Sequence, residues 1–248
     1  MLSDEELIHY SRHVILPQID EQGQEKLSNA SVLVVGVGGL GSAVAMYLAA
    51  SGVGHLYLAD FDQVELSNLQ RQIIHRIKNL GLNKTLSAKE TIGQLNNFIK
   101  VSCIEKEITQ NNIKEYADKV DLVLDCSDNL KLRLLINKAC FELSKPLVSG
   151  SAIRFEGQLG VFNLNQQSAC YQCIYDGHIQ IEESCHERGV LSPLVGTIGT
   201  LQATEALKII MSIGEILDSQ LLLYDALNMD FRKLKINKKS DCPVCCKS

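Results

Sequence analysis

Runs of basic residues are absent from this chain. Its formal charge is −5 and no Lys/Arg block extends beyond a few residues, so the electrostatic footprint of a nucleic-acid binder is missing. A secretory leader is absent too, because the opening segment "MLSDEELIHYSRH" is charged and has no long apolar core. There is no internal repeat, no low-complexity segment and no Pro/Gly/Ser linker, and only four prolines occur. These absences favour one domain, and a hydrophobic content of 46% supports a sizeable core. The expectation is a cytoplasmic globular protein with neither nucleic acid nor membrane among its partners. One stretch tests the last point: Leu27 to Gly54 contains no Asp, Glu, Lys, Arg or His and is long enough to suggest a membrane span. The glycines of "GVGGLG" cut it into a short β-branched strand and a small-residue helix, each too short to cross a bilayer.

What is present is an alternation of strand and helix signals. Helices are expected around Asp4–Arg12 and Glu21–Leu27, followed by the strand "SVLVVG", a glycine turn and a helix from about Leu40 to Ser51. "HLYLADFD", "VSCIEKEI" and "VDLVLDCSDN" read as further strands, with a helix after Asn83 and another from Leu130 to Leu143. "PLVSG" supplies a fifth strand. Such alternation implies right-handed crossovers and a parallel sheet whose ligand crevice lies beyond the carboxyl ends of the strands, where Asp60, Asp62, Asp125 and Asp128 fall. After residue 150 paired strands ("AIRFEGQLGVFNL", "LLLYDA", "FRKLKI") surround one helix, Thr197 to Met211. The fold expected is α/β and Rossmann-like, one continuous sheet with a parallel first half and a mixed or antiparallel second half.

Gly36-x-Gly38-x-x-Gly41 lets the backbone turn tightly toward a phosphate at a helix N-terminus. That motif does not name the nucleotide. Asp60, nineteen residues beyond Gly41, suits ribose hydroxyls, so an NAD-dependent oxidoreductase is one reading. The stretch "DFDQVELSNLQRQ" argues for another, since Asn68, Arg71 and Gln72 are polyphosphate-binding groups. Lys84 adds a second cation, and Asp128 is placed to hold Mg²⁺ on phosphate oxygens. The plainer alternative makes Arg71 and Lys84 solvated surface charges and Asp128 a cap on the following helix. Taken together, behind a glycine turn, the set favours function. A hydride-transfer arrangement of His, Lys or Tyr is not found.

The nine cysteines include two knuckles, Cys170-x-x-Cys173 and Cys242-x-x-Cys245. Two such pairs supply a tetrahedral Cys₄ set for Zn²⁺ with no open position, hence a structural metal. Disulfides are the alternative, disfavoured in a reduced cytosol. Cys103, Cys126 and Cys140 read as small core residues. His9, His13, His55, His75 and His178 show no metal spacing and read as surface or satisfied core residues.

The strings "RHVIL", "GVGGLG", "LADFDQVELSNLQRQ", "LVLDCSDN", "AIRFEGQ", "CYQC", "GVLSPLVGTIGTLQATEALK" and "CPVC" together resemble the bacterial MoeB/ThiF group, relatives of the ubiquitin-activating enzymes. The resemblance covers nearly the whole chain. It implies adenylation of the C-terminal Gly-Gly carboxylate of a small β-grasp sulfur-carrier protein, with Mg-ATP consumed and pyrophosphate released, for thiamine or molybdopterin synthesis. It implies Gly39 and Gly41 against phosphate and Asp60 on ribose. Asn68, Arg71 and Lys84 would lie on the phosphates, with Gln72 and Asn129 beside them, and Asp128 on Mg²⁺. Arg12 matches the arginine that enters the other subunit's active site, which makes a homodimer part of catalysis. A non-catalytic partner subunit of this fold would have lost Arg12, Arg71, Lys84 or Asp128, and all four are present.

In these terms residues 1–28 are N-terminal helices, 29–150 the ATP-binding half and 151–248 the carrier-binding half with its zinc knuckles. Cys185, beside His186 and Arg188 in a polar loop, matches a cysteine that links covalently to the carrier in the ThiF branch and has no firm requirement in the MoeB branch. Both roles stay open, as does the choice of carrier. Cys246 departs from the family, which usually has glycine there, and leaves open which tail sulfurs bind metal. No sulfurtransferase domain follows the zinc tail, so a separate sulfurtransferase or cysteine desulfurase is expected to supply sulfur.

Overall fold

The computed structural model describes residues 2–174 and 189–246. Its first strand, β1 (Ser31–Val35), is the run SVLVV, buried at every position but the first. An unbroken β-branched run suits a parallel strand covered on both faces. β2 (His55–Ala59) and β4 (Leu122–Asp125) flank β1 in parallel, β3 (Lys100–Ile104) lies outside β2, and β5 (Leu147–Ile153) continues parallel beyond β4. β6 (Glu156–Phe162), β7 (Gln220–Asp225) and β8 (Asp230–Lys235) then add antiparallel neighbours. All eight strands form one sheet in the order β3-β2-β1-β4-β5-β6-β7-β8. The expected division into a parallel and an antiparallel half of one continuous sheet is the architecture observed.

Eight helices are described: α1 (Asp4–His9), α2 (Ser11–Val14), α3 (Asp20–Asn29), α4 (Gly39–Ala50), α5 (Lys84–Leu95), α6 (Ile113–Asp118), α7 (Leu130–Glu142) and α8 (Ser192–Met211). α4 is built from small apolar residues, and Leu40 through Ala45, Leu48 and Ala49 are buried between the sheet and α8. That burial fixes the helix at the point where the glycine turn delivers it. Among the described residues no helix is long and apolar enough to cross a membrane.

Three sequence expectations change in detail. The helix expected over Asp4–Arg12 breaks at Tyr10, whose side chain is 3% exposed and whose hydroxyl accepts from Asn96 Nδ2 at 2.8 Å. Drawing that ring into the core redirects the chain. "PLVSG" and "AIR" are one strand, β5, because Gly150 does not end it. The glycine is there to let the Gln202 side chain approach, and a Cβ at this position would lie 2.4 Å from the Gln202 amide carbon. The turn falls instead after Ile153, at Arg154, where φ is +52°. Finally, α8 starts five residues before Thr197, with Pro193 in its first turn, where a missing N–H costs nothing.

Candidate functional site

The strand order reverses between β1 and β4, and the crevice opened there at their carboxyl ends is the expected ligand site of such a sheet. It holds a cavity of about 790 Å³. Gly36 and Gly38 come from the end of β1, Asp60 and Asp62 from β2, Cys126 to Asn129 from β4, and Gln72 and Lys84 close one side. The turn itself is tight: Gly36 has φ +90°, and a Cβ on Gly41 would lie 1.9 Å from the Gly36 carbonyl oxygen. Gly41 is therefore required by the turn's own backbone.

Polar groups around the turn are tied to one another. Asp60 Oδ2 accepts from the Val37 amide at 2.8 Å and its Oδ1 from the Asp62 amide at 3.0 Å, which locks the second strand to the turn. Burial raises the Asp60 pKa, opposed by the Lys84 charge and these two amides. Lys84 is only 6% exposed, and its Nζ donates to Asp62 Oδ2 at 2.7 Å. It is not the solvated surface charge of the plainer alternative. Asn83 caps α5, its Oδ1 accepting from the Thr85 amide, and its Nδ2 donates to the carbonyls of Asp60 and Asp62, which places Lys84 at the first helical position. Gln72 is 3% exposed, and its Oε1 has no hydrogen-bond partner.

At the fourth strand, Asp125 is fully buried and accepts from the Ser127 and Ser149 hydroxyls at 2.6 and 2.8 Å. It shapes the floor and does not line the cavity. Asp128 lies one residue past Ser127 in the wall, exposed to the cavity. The helix cap that it was a candidate for is supplied by Asn129, whose Oδ1 accepts from the Leu132 amide at 2.8 Å. Cys126 also lies in the wall, but burial pushes its thiol well above the ordinary range.

The structure thus gathers Asp60, Gln72, Lys84, Asp128 and Asn129 around one cavity. Asn68 is buried nearby and closes a turn, its Oδ1 accepting from the Glu65 amide at 3.1 Å, while Arg71 Nη1 donates to the Ser67 carbonyl at 3.2 Å. Neither lines the wall. Gly39 and Gly41 lie in α4 behind the turn, and Arg12 is exposed on α2, apart from the cavity. Cys185 and His178 lie outside the described residues.

The strand expected over "VSCIEKEI" ends at Ile104, so Lys106 to Ile108 leave the sheet and, with Thr109 and Gln110, form a segment that was not read as part of the site. Lys106, Ile108, Thr109 and Gln110 line the cavity, as does Lys131 on α7. The rule that ligands bind beyond the carboxyl ends of parallel strands points to the first four. His75, expected to be a surface or satisfied core residue, is the latter. It is buried, with Nε2 3.0 Å from the Val37 carbonyl and Nδ1 2.9 Å from the Ser87 hydroxyl. The carbonyl requires Nε2 to donate, so Nδ1 accepts from the hydroxyl and the ring is neutral. Burial lowers its pKa to about 4.

The two cysteine knuckles meet at the far side of α7. Cys170, Cys173, Cys242 and Cys245 are buried with their sulfurs all within 4.8 Å of one another, three of the pairs at 3.5–3.9 Å. Four thiolates around Zn²⁺ at ~2.3 Å lie ~3.8 Å apart at the tetrahedral angle, so the set fits this metal. Cys246 lies beside the set, its sulfur 3.9 Å from Cys245 Sγ and 2.8 Å from the Lys239 carbonyl oxygen. The four knuckle cysteines are the ones that cluster.

A family model described as the ThiF family matches residues 10–244. The molybdopterin-synthase adenylyltransferase of Escherichia coli (strain K12) is 41% identical over 244 residues, 98% of each chain. The adenylyltransferase and sulfurtransferase MOCS3 of Drosophila grimshawi is 43% identical over 247 residues, which cover 98% of this chain and 55% of that protein. The chain thus spans about half the length of the MOCS3 relatives it matches. Among solved structures, E. coli MccB with ATP superposes with a TM-score of 0.81 at 25% identity, over 90% of this chain and 68% of that one. Selenomethionine PaaA gives 0.82 at 22% identity over 96% and 76%, a likeness of fold alone.

Proposed function

The chain belongs to the ThiF family, and on that footing we propose that it is an adenylyltransferase that activates the C-terminal Gly-Gly carboxylate of a small β-grasp sulfur-carrier protein. A carboxylate oxygen attacks the α-phosphorus of ATP, the bond to the β-phosphate oxygen breaks, and an acyl-adenylate and pyrophosphate result. The observation that carries this reading is the buried Lys84 held beside the glycine turn, with Asp60, Gln72 and Asp128 around one cavity. The nucleophile is ionised at neutral pH and needs no general base. The barrier lies in bringing two anions together and in charge on the phosphoryl group.

Each residue's part follows from its place. Asp60, with both oxygens oriented by amides, faces the ribose, and Gln72 Oε1 waits for a donor that a hydroxyl provides. Lys84 exchanges Asp62 for phosphate, and Arg71 and Asn68 approach from the adjoining loop. Asp128 would hold Mg²⁺ on phosphate oxygens, where the ion offsets negative charge. Arg12, exposed on α2, serves the cavity of a second copy, so the enzyme works as a homodimer. The four clustered cysteines would hold a structural Zn²⁺ that fastens residues 242–245 to the mid-chain turn.

The names of the relatives favour the molybdopterin branch, and with it a MoaD-like carrier. Exchange of labelled pyrophosphate into ATP, measured with a MoaD-like and a ThiS-like carrier ending in Gly-Gly, tests this. Exchange with the first and not the second is expected. No exchange with either, together with tight NAD binding, overturns the reading.

A further inference from the structure

Helix α7 begins at the nucleotide cavity, where Lys131, Leu132 and Leu135 line the wall, and ends against the cysteine cluster, where Phe141 packs. Asn137 lies between the two and is fully buried. Its Oδ1 accepts from the backbone N–H of Tyr171, inside the first knuckle, at 2.8 Å, and Asn163 Nδ2 approaches the same oxygen at 3.4 Å. Its Nδ2 is buried and completes no hydrogen bond. Cys170 directly precedes Tyr171, and the Asn137 side chain holds the Cys170 thiol pKa down against the burial that raises it, the effect of a donor near the sulfur.

A buried amide N–H without a partner is rare in a folded protein. A metal-bound thiolate keeps lone pairs that accept such a donor, and donors of this kind orient the ligands of metal centres. Cys170 Sγ already lies 3.9 Å from Cys173 Sγ and 3.6 Å from Cys242 Sγ. Resting on the metal reading of this cluster, we propose that Asn137 is a positioning residue for the centre. Its Oδ1 holds the knuckle backbone while its Nδ2–H donates to the Cys170 thiolate. One side chain thereby sets both the path of the knuckle and the direction of one ligand sulfur.

The alternative is that Asn137 matters only as the acceptor for Tyr171. Replacement by aspartate separates the two, because Asn137→Asp keeps that acceptor, removes the donor and sets a carboxylate against the sulfur. Full-length native chain, Asn137→Asp, Asn137→Ala and Asn137→Ser are loaded with Zn²⁺, and release to a chromogenic chelator is timed. Asp and Ala variants should release zinc about tenfold faster or more, the Asp variant at least as fast as Ala, with Ser between them and native because its hydroxyl still donates. With Co²⁺ in place of Zn²⁺, the sulfur-to-metal charge-transfer bands should move to lower energy in the Asp and Ala variants, a readout confined to molecules that hold metal. An Asp variant that retains zinc like the native chain, or unmoved bands, overturns the proposal. A native chain that binds no zinc overturns the metal reading itself, and the proposal with it.

Discussion

The nucleotide cavity and the cysteine cluster each join segments distant in sequence, yet they close in opposite ways. In the cluster all four cysteines are at most 7% exposed and sit in a small core of their own with Ala169 and Phe141. In the cavity the charges are also held, Asp60 by amides and Lys84 by Asp62, but about 790 Å³ stays open in front of them and Asp62 is 46% exposed. A ligand that stays is surrounded on every side. A ligand that is consumed must find its partners already paired with something it can displace, so that binding trades one contact for another and never requires a bare buried charge.

Arg12 offers the widest separation between the two regions. Arg12→Ala should lower carrier-dependent adenylation by about 10³-fold while leaving zinc content and melting temperature unchanged. Mixing it with Asp128→Ala subunits should restore up to one working site per mixed dimer. Failure of that rescue, measured by pyrophosphate exchange, places Arg12 within its own chain. Lys84→Met comes next, with a fall of about 10²–10³ in kcat. A smaller fall, with ATP binding intact, means that the buried lysine serves Asp62 and not the phosphates.

The reverse experiment acts on the closed region. Cys242→Ser should abolish stoichiometric zinc and lower the melting temperature by several degrees, since a structural zinc site contributes folding free energy directly. ATP binding at the cavity, measured by calorimetry, should change less than threefold. A larger loss of ATP affinity shows that α7 transmits the state of the cluster to the cavity and breaks the separation.

Legibility from sequence differs between the regions in the same way. The cluster was readable because its cysteines come as two C-x-x-C pairs, the fixed spacing a metal site would require whatever lies between the pairs. Asp60, Lys84 and Asp128 were readable because strand ends are, and Asn83 before Lys84 is a cap signal. Lys106 through Gln110 were missed as cavity lining because they carry no motif and the first three of them fall within the string "VSCIEKEI", whose strand ends at Ile104. Gly150 misled because a glycine in a strand resembles a stop, whereas here it makes room for Gln202. The break at Tyr10 comes from a tertiary contact with Asn96, 86 residues away, and local periodicity contains no trace of it.

His75 gives the smallest expected effect and the finest probe of how the open region is held. Its ring is neutral, donating to Val37 of the glycine turn and accepting from Ser87, and burial lowers its pKa to about 4 in the folded chain, against about 6.5 unfolded. Between these values the unfolded chain binds the extra proton, so stability contributed by the neutral ring is fully present above about pH 6.5 and declines as pH falls toward 4. Melting temperature followed from pH 7.5 to 4.5 should therefore drop less steeply for His75→Gln than for the native chain. ATP affinity of the folded native chain should hold over most of this range and fall only as pH approaches 4, where protonation of the folded ring removes the acceptor for Ser87 and loosens the turn. Zinc retention should show no such difference between the two chains above pH 5.5. Parallel profiles for the two chains would mean that His75 titrates as an ordinary histidine, and that Asp60, through its amide bonds, holds the turn without it.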